Sequence, residues 1–326
     1  MRAPEENLIE MVELTKYLLA IQHTIAASAA ASLIIKDGQI VYEWYNGRHN
    51  HQVHSRAVDA QSQFNVASIR KTYLGLVVSL AVYEGKIGSI DDLISDYDST
   101  LDKELLGNTT IRNVLTHTHG LRGSERIFQP GADWEYNNTG VQILTKIIHN
   151  VYEGPFTQII DELVFRPYGF TESGWRMQQT DKLIWLDDSY DHEDGTESNL
   201  FVSAQDLARW GLLHLNQGCL HGQQTIPREV YEQSASIISP PIQASLPRNG
   251  YYWFVQDIPR QQSEIGEDLP KGTFQSLGIT GCACLIIPEI NAVAVRMYNQ
   301  TTPNPPEYNY LQDIKHFGNL VYKSLL

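Results

Sequence analysis

Cysteine is nearly absent, with Cys219, Cys282 and Cys284 the only three in 326 residues. So sparse and odd a set, without zinc-site spacing, excludes a disulfide framework and makes a reducing, cytoplasmic setting the expectation. Cys282 and Cys284 fall on one face of any strand they share, as small packing residues. Basic charge is also short. Lys and Arg number 24 against 38 Asp and Glu, a formal net charge of −14, which repels polyphosphate and anionic lipid, so neither nucleic acid nor membrane is expected as a partner. No apolar run reaches the ~20 residues of a membrane span. Tyr17-Leu-Leu-Ala-Ile21 with the Ala/Ser-rich run to Ser32 comes nearest to a signal peptide. However, Glu5, Glu6, Glu10 and Glu13 precede it and Gln22-His23 breaks it, so a soluble helix without export is expected. Repeats and low-complexity tracts are missing too. What remains is an ordinary globular composition, 42% hydrophobic and 19% charged, on a chain long enough for one large domain or two lobes sharing a cleft.

Periodicity divides the chain. Leu8, Met11, Val12, Leu14, Leu18 and Leu19 keep helical spacing, which predicts a helix from about Glu6 to Ala26. Ala31–Ile35 and Gln39–Tyr45 then read as strands joined through Lys36-Asp37-Gly38, a strong hairpin signal. Helical patterns fill the middle: Ser68–Tyr83 closed by Gly85, Thr110–Leu115, a helix through Val141, Leu144 and Ile148, Phe156–Leu163, and Ser203–Asn216 with a Ser203 cap. Ser89 with Asp91 and Asp92 offers a further helix start. Strands return at Tyr252–Val255, Gly281–Ile287 and Ala292–Tyr298, before a last helix from about Tyr310 to Leu325. The expected fold is α/β: a mixed, mainly antiparallel sheet flanked by the terminal helices, with a large inserted helical lobe. Residues 1–60 and 220–326 would form the sheet lobe and 61–219 the helical lobe.

Within the helical region, Ser68 and Lys71 stand three residues apart at the start of a helix whose apolar stripe is Leu74, Val77, Val78, Ala81 and Val82. That spacing sets hydroxyl beside amine. Unpaired N–H groups of the first turn can also hold an oxyanion there. Lysine serves as the base for a serine only if burial or positive charge lowers its pKa. An S-x-x-K arises by chance in a chain this long, so it needs partners elsewhere. Tyr136 and Asn138, in a polar loop after the Pro130-Gly131 turn, offer a phenol able to relay a proton and an amide able to hold a substrate carbonyl. Other polar groups carry less. His49, His51 and His54 lack the acidic or thiol companions of a metal site and read as a solvated loop, and His117 and His119 read as structural residues at a helix end. The acidic run Asp187, Asp188, Asp191, Glu193 and Asp194 reads as a solvated loop.

With these residues in order, the chain resembles the serine β-lactamase and penicillin-binding-protein superfamily, in its class C β-lactamase-like branch. Ser68-Ile-Arg-Lys71 is similar to the family's S-x-x-K and Tyr136-Asn-Asn138 to its Y-x-N. Val114-Leu-Thr-His-Thr-His-Gly-Leu121 resembles L-L-x-H-T-S-G-L, with His119 where serine is usual. The third motif, a Lys or His followed by a small residue and Gly, falls at Ser276-Leu277-Gly278, so the cation that helps bind a substrate carboxylate is missing. Its aliphatic form, Leu277-Gly278-Ile279, resembles the 6-aminohexanoate-oligomer hydrolases and related carboxylesterases. The resemblance implies Ser68 as nucleophile, Lys71 as base and Tyr136 as proton relay. It also implies backbone N–H groups of Ser68 and Ile279 for the oxyanion, and Asn138, Ser276, Leu277 and Gly278 for substrate binding. No cofactor or metal is implied, and the partner is a small-molecule ester or amide. A β-lactamase or D,D-peptidase, or a non-catalytic binding member of the fold, is the alternative.

Overall fold

The computed structural model describes residues 4–98, 100, 102–184 and 197–326, with side chains from residue 10 onward; the acidic run from Asp187 to Asp194 lies outside them. Its main sheet has six strands, in the order Gln39–Gly47, Ala29–Lys36, Ala292–Tyr298, Ala283–Ile287, Phe274–Leu277 and Phe254–Val255. Every neighbouring pair is antiparallel. The first two strands form the predicted hairpin. Lys36 pairs with Gln39, and Asp37 and Gly38 both take positive φ, 52° and 76°, as a two-residue turn matched to strand twist requires.

Alternation along these strands gives the sheet two buried faces. Ala30, Ile34, Leu285, Ile287 and Ala294 meet Leu14 and Leu18 of the helix Pro4–Thr24 and Ile314, Phe317 and Val321 of the helix Tyr310–Leu325. The terminal helices therefore cover one face, as the sequence pattern predicts. Leu33, Cys284, Ile286, Val293 and Val295 meet the helix Ala204–Leu215 on the other. A Cβ on Gly211 would lie 2.5 Å from Val293 Cγ1, so glycine sets how closely that helix approaches. Cys282 and Cys284 are buried together in this core as free thiols. Among the described residues no helix is long and apolar enough to cross a membrane.

Arg296, fully buried on the terminal-helix side, pairs with Asp313 at 3.0 Å. It also donates through Nε to the Gly281 carbonyl oxygen at 3.2 Å, while Tyr308 donates to Asp313 Oδ2 at 2.6 Å. This network ties the last helix to the loop after the Ser276–Ile279 segment, and removing one partner would strand a buried charge.

Several local expectations are corrected. The helix Arg70–Tyr83 has no single buried stripe, being buried all round from Lys71 to Ala81; its aliphatic hydroxyls donate to backbone carbonyls, Thr72 to that of Ile69 and Ser79 to that of Val230. At Ser89 there is a turn rather than a helix, because Asp92 Oδ2 accepts the Ser89 N–H and Leu93 is drawn into a bridge with Thr110. The expected strand Tyr252–Val255 shrinks to Phe254–Val255, since Tyr252 takes φ 66°. The expected helix Phe156–Leu163 stops being α-helical at Ile160 and widens into a π-turn over Asp161–Phe165. A second sheet, Ser173–Trp175, Leu200–Ser203, Gln63–Asn65 and Leu183–Ile184, has no counterpart in the sequence reading, because strands of two to four residues carry no measurable period. The Ser203 cap does form, accepting from Asp206 N–H at 3.1 Å.

Candidate active site

The strand Gln63–Asn65 delivers the chain to Ser68 through a tight, strained turn. Ala67 takes φ 45°, a left-handed conformation costly for a residue with a Cβ, and Asn65 Oδ1 steadies it by accepting the Ala67 N–H at 2.9 Å. Ser68 sits in the short 3-10 turn Ala67–Ile69 that opens the helix Arg70–Tyr83, so the α-helix starts two residues later than the expected Ser68.

Lys71 is 2% exposed, and its Nζ lies 2.9 Å from Ser68 Oγ and within hydrogen-bond reach of the Tyr136 hydroxyl. Burial first, then the Arg70 guanidinium, hold its pKa well below the lysine range. Both favour the neutral amine, the form with a lone pair for the serine proton. Burial pushes the Tyr136 phenol up to about 12, against the Ser68 hydrogen bond and the Arg70 charge. Its ring is 40% exposed while the hydroxyl turns inward to Lys71. Tyr136 thus keeps its proton at neutral pH and suits donation rather than base work.

These three side chains open on a cavity of about 330 Å³ also lined by Ser276, Leu277, Gly278 and Ile279. Gly278 is needed for close approach: a Cβ there would lie 2.4 Å from the Val66 carbonyl oxygen. Thr280 reinforces the contact by donating to the Asn65 carbonyl oxygen at 2.9 Å. Among the described residues the N–H groups of Ser68 and Ile279 donate to nothing within the protein, which leaves two backbone donors for a developing oxyanion. Gly278→Ala is expected to push Ile279 out of line and lower kcat roughly 10- to 100-fold, short of the roughly 100- to 1,000-fold cost of removing one oxyanion donor outright. Steady-state kinetics on an activated ester would check it, an unchanged kcat contradicting the geometry.

Asn138 is exposed, at the start of the helix Thr139–Tyr152, and makes no side-chain cap there; it is not among the residues lining the cavity. His49 is buried against Ser62 Oγ at 2.8 Å rather than solvated, while His51 and His54 are exposed. The two later histidines part company. His119 accepts the Leu121 N–H through Nδ1 at 3.0 Å, a structural role, with burial and Arg126 holding its pKa down at about 4. His117 instead lines the cavity, 4.4 Å from the Tyr136 ring and at φ 56°. Burial above all holds its pKa well below the imidazole range, which favours the neutral ring. Its place beside Tyr136 was missed by the sequence reading, although it lies in the tract that resembles the family. Glu264, Asn304 and Tyr310, also in the wall, had no motif to announce them.

The model of the beta-lactamase family matches residues 19–315. The chain belongs to the beta-lactamase family. A relative of this member, described as an uncharacterized protein of Alkalihalophilus pseudofirmus, is 40% identical over 317 residues, covering 93% of each chain. Solved structures share the fold at low identity. A class C beta-lactamase superposes with a TM-score of 0.74 at 15% identity over 98% of both chains. EstCE1, a hydrolase with promiscuous acyltransferase activity, gives a TM-score of 0.72 at 14% identity over 95% of this chain and 99% of its own.

Proposed function

We propose that this beta-lactamase family member is a serine hydrolase that forms an acyl-enzyme on Ser68 and cleaves a small ester or linear amide. The observation that carries the reading is the buried Lys71 amine 2.9 Å from Ser68 Oγ, its pKa drawn well below the lysine range by burial and Arg70. Ser68 Oγ attacks the substrate carbonyl carbon as its proton passes to Lys71 Nζ. The carbonyl oxygen becomes an oxyanion held by the N–H groups of Ser68 and Ile279. Tyr136 donates its proton to the departing alkoxide or amine and is reprotonated from Lys71. Water then attacks the acyl-enzyme, losing its proton along the same path, and Ser68 is restored.

Substrate preference is argued from charge. The wall at the third motif offers the Ser276 hydroxyl where a carboxylate-binding cation stands in penicillin-recognising relatives, and Glu264 adds an acidic group to the same cavity. The missing cation disfavours the carboxylate of a β-lactam, and the structural neighbour EstCE1, a hydrolase with promiscuous acyltransferase activity, is in keeping with acyl transfer on this fold. A panel of short acyl esters, linear amides, D-amino-acid peptides and a chromogenic cephalosporin tests the assignment. Esters are expected to turn over with at least roughly tenfold higher kcat/KM than the cephalosporin, a difference of one interaction of about 1.4 kcal/mol. Efficient cephalosporin cleavage with weak esterase activity would reverse the reading in favour of a β-lactamase, and no turnover of any of them would favour a non-catalytic binder.

A further inference from the structure

Among the described residues, the cavity beside Ser68 carries a single carboxyl, from Glu264, set among aromatic walls. Glu264 lies on the loop between the strands Phe254–Val255 and Phe274–Leu277. Gln275 Nε2 donates to its carbonyl oxygen at 3.1 Å, which fixes the backbone. Its carboxyl Oε2 is buried and has no hydrogen-bond partner, a costly state unless a ligand completes it. Tyr136, Tyr252, Phe254 and Tyr310 line the same space. The basic side chains described in the wall are Lys71 and His117, and burial lowers the pKa of both.

A carboxyl facing aromatic rings, with no cation in the cavity wall to satisfy it, suits an organic cation: the charge pairs with the carboxylate, and the ring faces add to the attraction. We propose that Glu264 and these aromatic side chains form a subsite for an aliphatic ammonium group, so that the substrate cleaved at Ser68 is an amine-bearing ester or amide. The proposal rests on the serine-hydrolase reading above and specifies its substrate class. It also gives a reason for Ser276: a lysine or histidine there would compete for the same carboxyl.

Burial pushes the Glu264 carboxyl up to about 8, with its own N–H and Lys315 pulling the other way. The titratable groups around it are Lys315, already held by Glu267, and the phenols of Tyr136 and Tyr310. Before a ligand binds, the carboxyl is therefore mainly protonated at pH 7, and an ammonium ligand expels that proton as it binds.

Calorimetry on the whole chain at pH 7, in two buffers of different ionisation heat, tests this with hexylamine, hexyltrimethylammonium, hexanol and hexanoate. Both cations are expected to bind at least roughly tenfold more tightly than hexanol and to release about one proton each, and Glu264→Gln is expected to remove the preference. Equal binding of hexylamine and hexanol overturns the proposal. So does tightest binding of hexanoate, or a preference that survives Glu264→Gln. Because binding is read without turnover, failure here leaves the acyl-enzyme reading standing, and failure of Ser68 chemistry leaves the ammonium subsite separately measured.

Discussion

Replacing Ser68 by alanine is expected to lower kcat on the best ester by roughly 10⁴- to 10⁶-fold, the loss found when a covalent nucleophile is removed and only binding and oxyanion stabilisation remain. The site leaves little room for a substitute. Among the described residues lining the cavity, the other hydroxyls are those of Ser276 and the phenols of Tyr136, Tyr252 and Tyr310. Neither Ser276 nor the phenols of Tyr252 and Tyr310 has Lys71 as a hydrogen-bond neighbour. Ser68 itself is half-buried at the end of a strained turn, so its loss removes one oxygen and leaves the packing of the helix behind it unchanged. KM would change far less than kcat, because the walls that hold the substrate stay in place. A residual rate within tenfold of wild type would contradict the assignment.

Lys71→Met is the second large effect, at roughly 10³-fold or more in kcat, the upper range of general-base catalysis. Methionine keeps the length and apolar stem of lysine in a position 2% exposed, so the loss reports the amine rather than a collapse of the helix. The pH profile supplies the sign. Burial and Arg70 hold the Lys71 pKa well below the lysine range, so the active, neutral amine is lost only as pH falls through that lowered pKa. Tyr136, pushed up to about 12, keeps its proton well above neutrality. Wild-type kcat/KM is therefore expected to rise with pH through an acid limb and hold a plateau into alkaline solution. In Lys71→Met the acid limb should vanish from what activity remains. Ser68 and Lys71 act as one unit, so the double variant should be no slower than Ser68→Ala alone. A wild-type profile that falls from pH 6 to pH 9 would contradict a neutral-lysine base.

The grouping of the candidate site's polar residues was more legible in the sequence than the walls around them. Ser68, Lys71 and Tyr136, which the structure brings within hydrogen-bond reach of one another, could be picked out because S-x-x-K and Y-x-N follow in the order of the family's motifs, and the Asp37-Gly38 turn because only a few residues tolerate its backbone. The terminal helices were legible because one face of each must be apolar. Other features depend on contacts that leave no local trace. The Arg70–Tyr83 helix is buried all round because helices and the Tyr251 segment close on it from several sides; a Cβ on Gly75 would lie 2.4 Å from the Tyr251 carbonyl oxygen. Residues 67 and 252 take left-handed backbone at an alanine and a tyrosine, where composition gives no warning. Glu264 lies on an irregular loop and becomes part of the cavity only because the sheet brings that loop beside the strand carrying Ser276. His117 read as a helix-end residue for the same reason, since its neighbours Tyr136 and Tyr252 come from segments far along the chain.

Intact-mass measurement after exposure to a fluorophosphonate tests the central claim most directly, because it asks whether the protein becomes covalently modified and where. One adduct per chain on the wild type, mapped to the peptide carrying Ser68 and absent from Ser68→Ala, is the predicted result. Labelling that persists in Ser68→Ala, or a wild-type protein that takes no adduct while remaining folded, would contradict it.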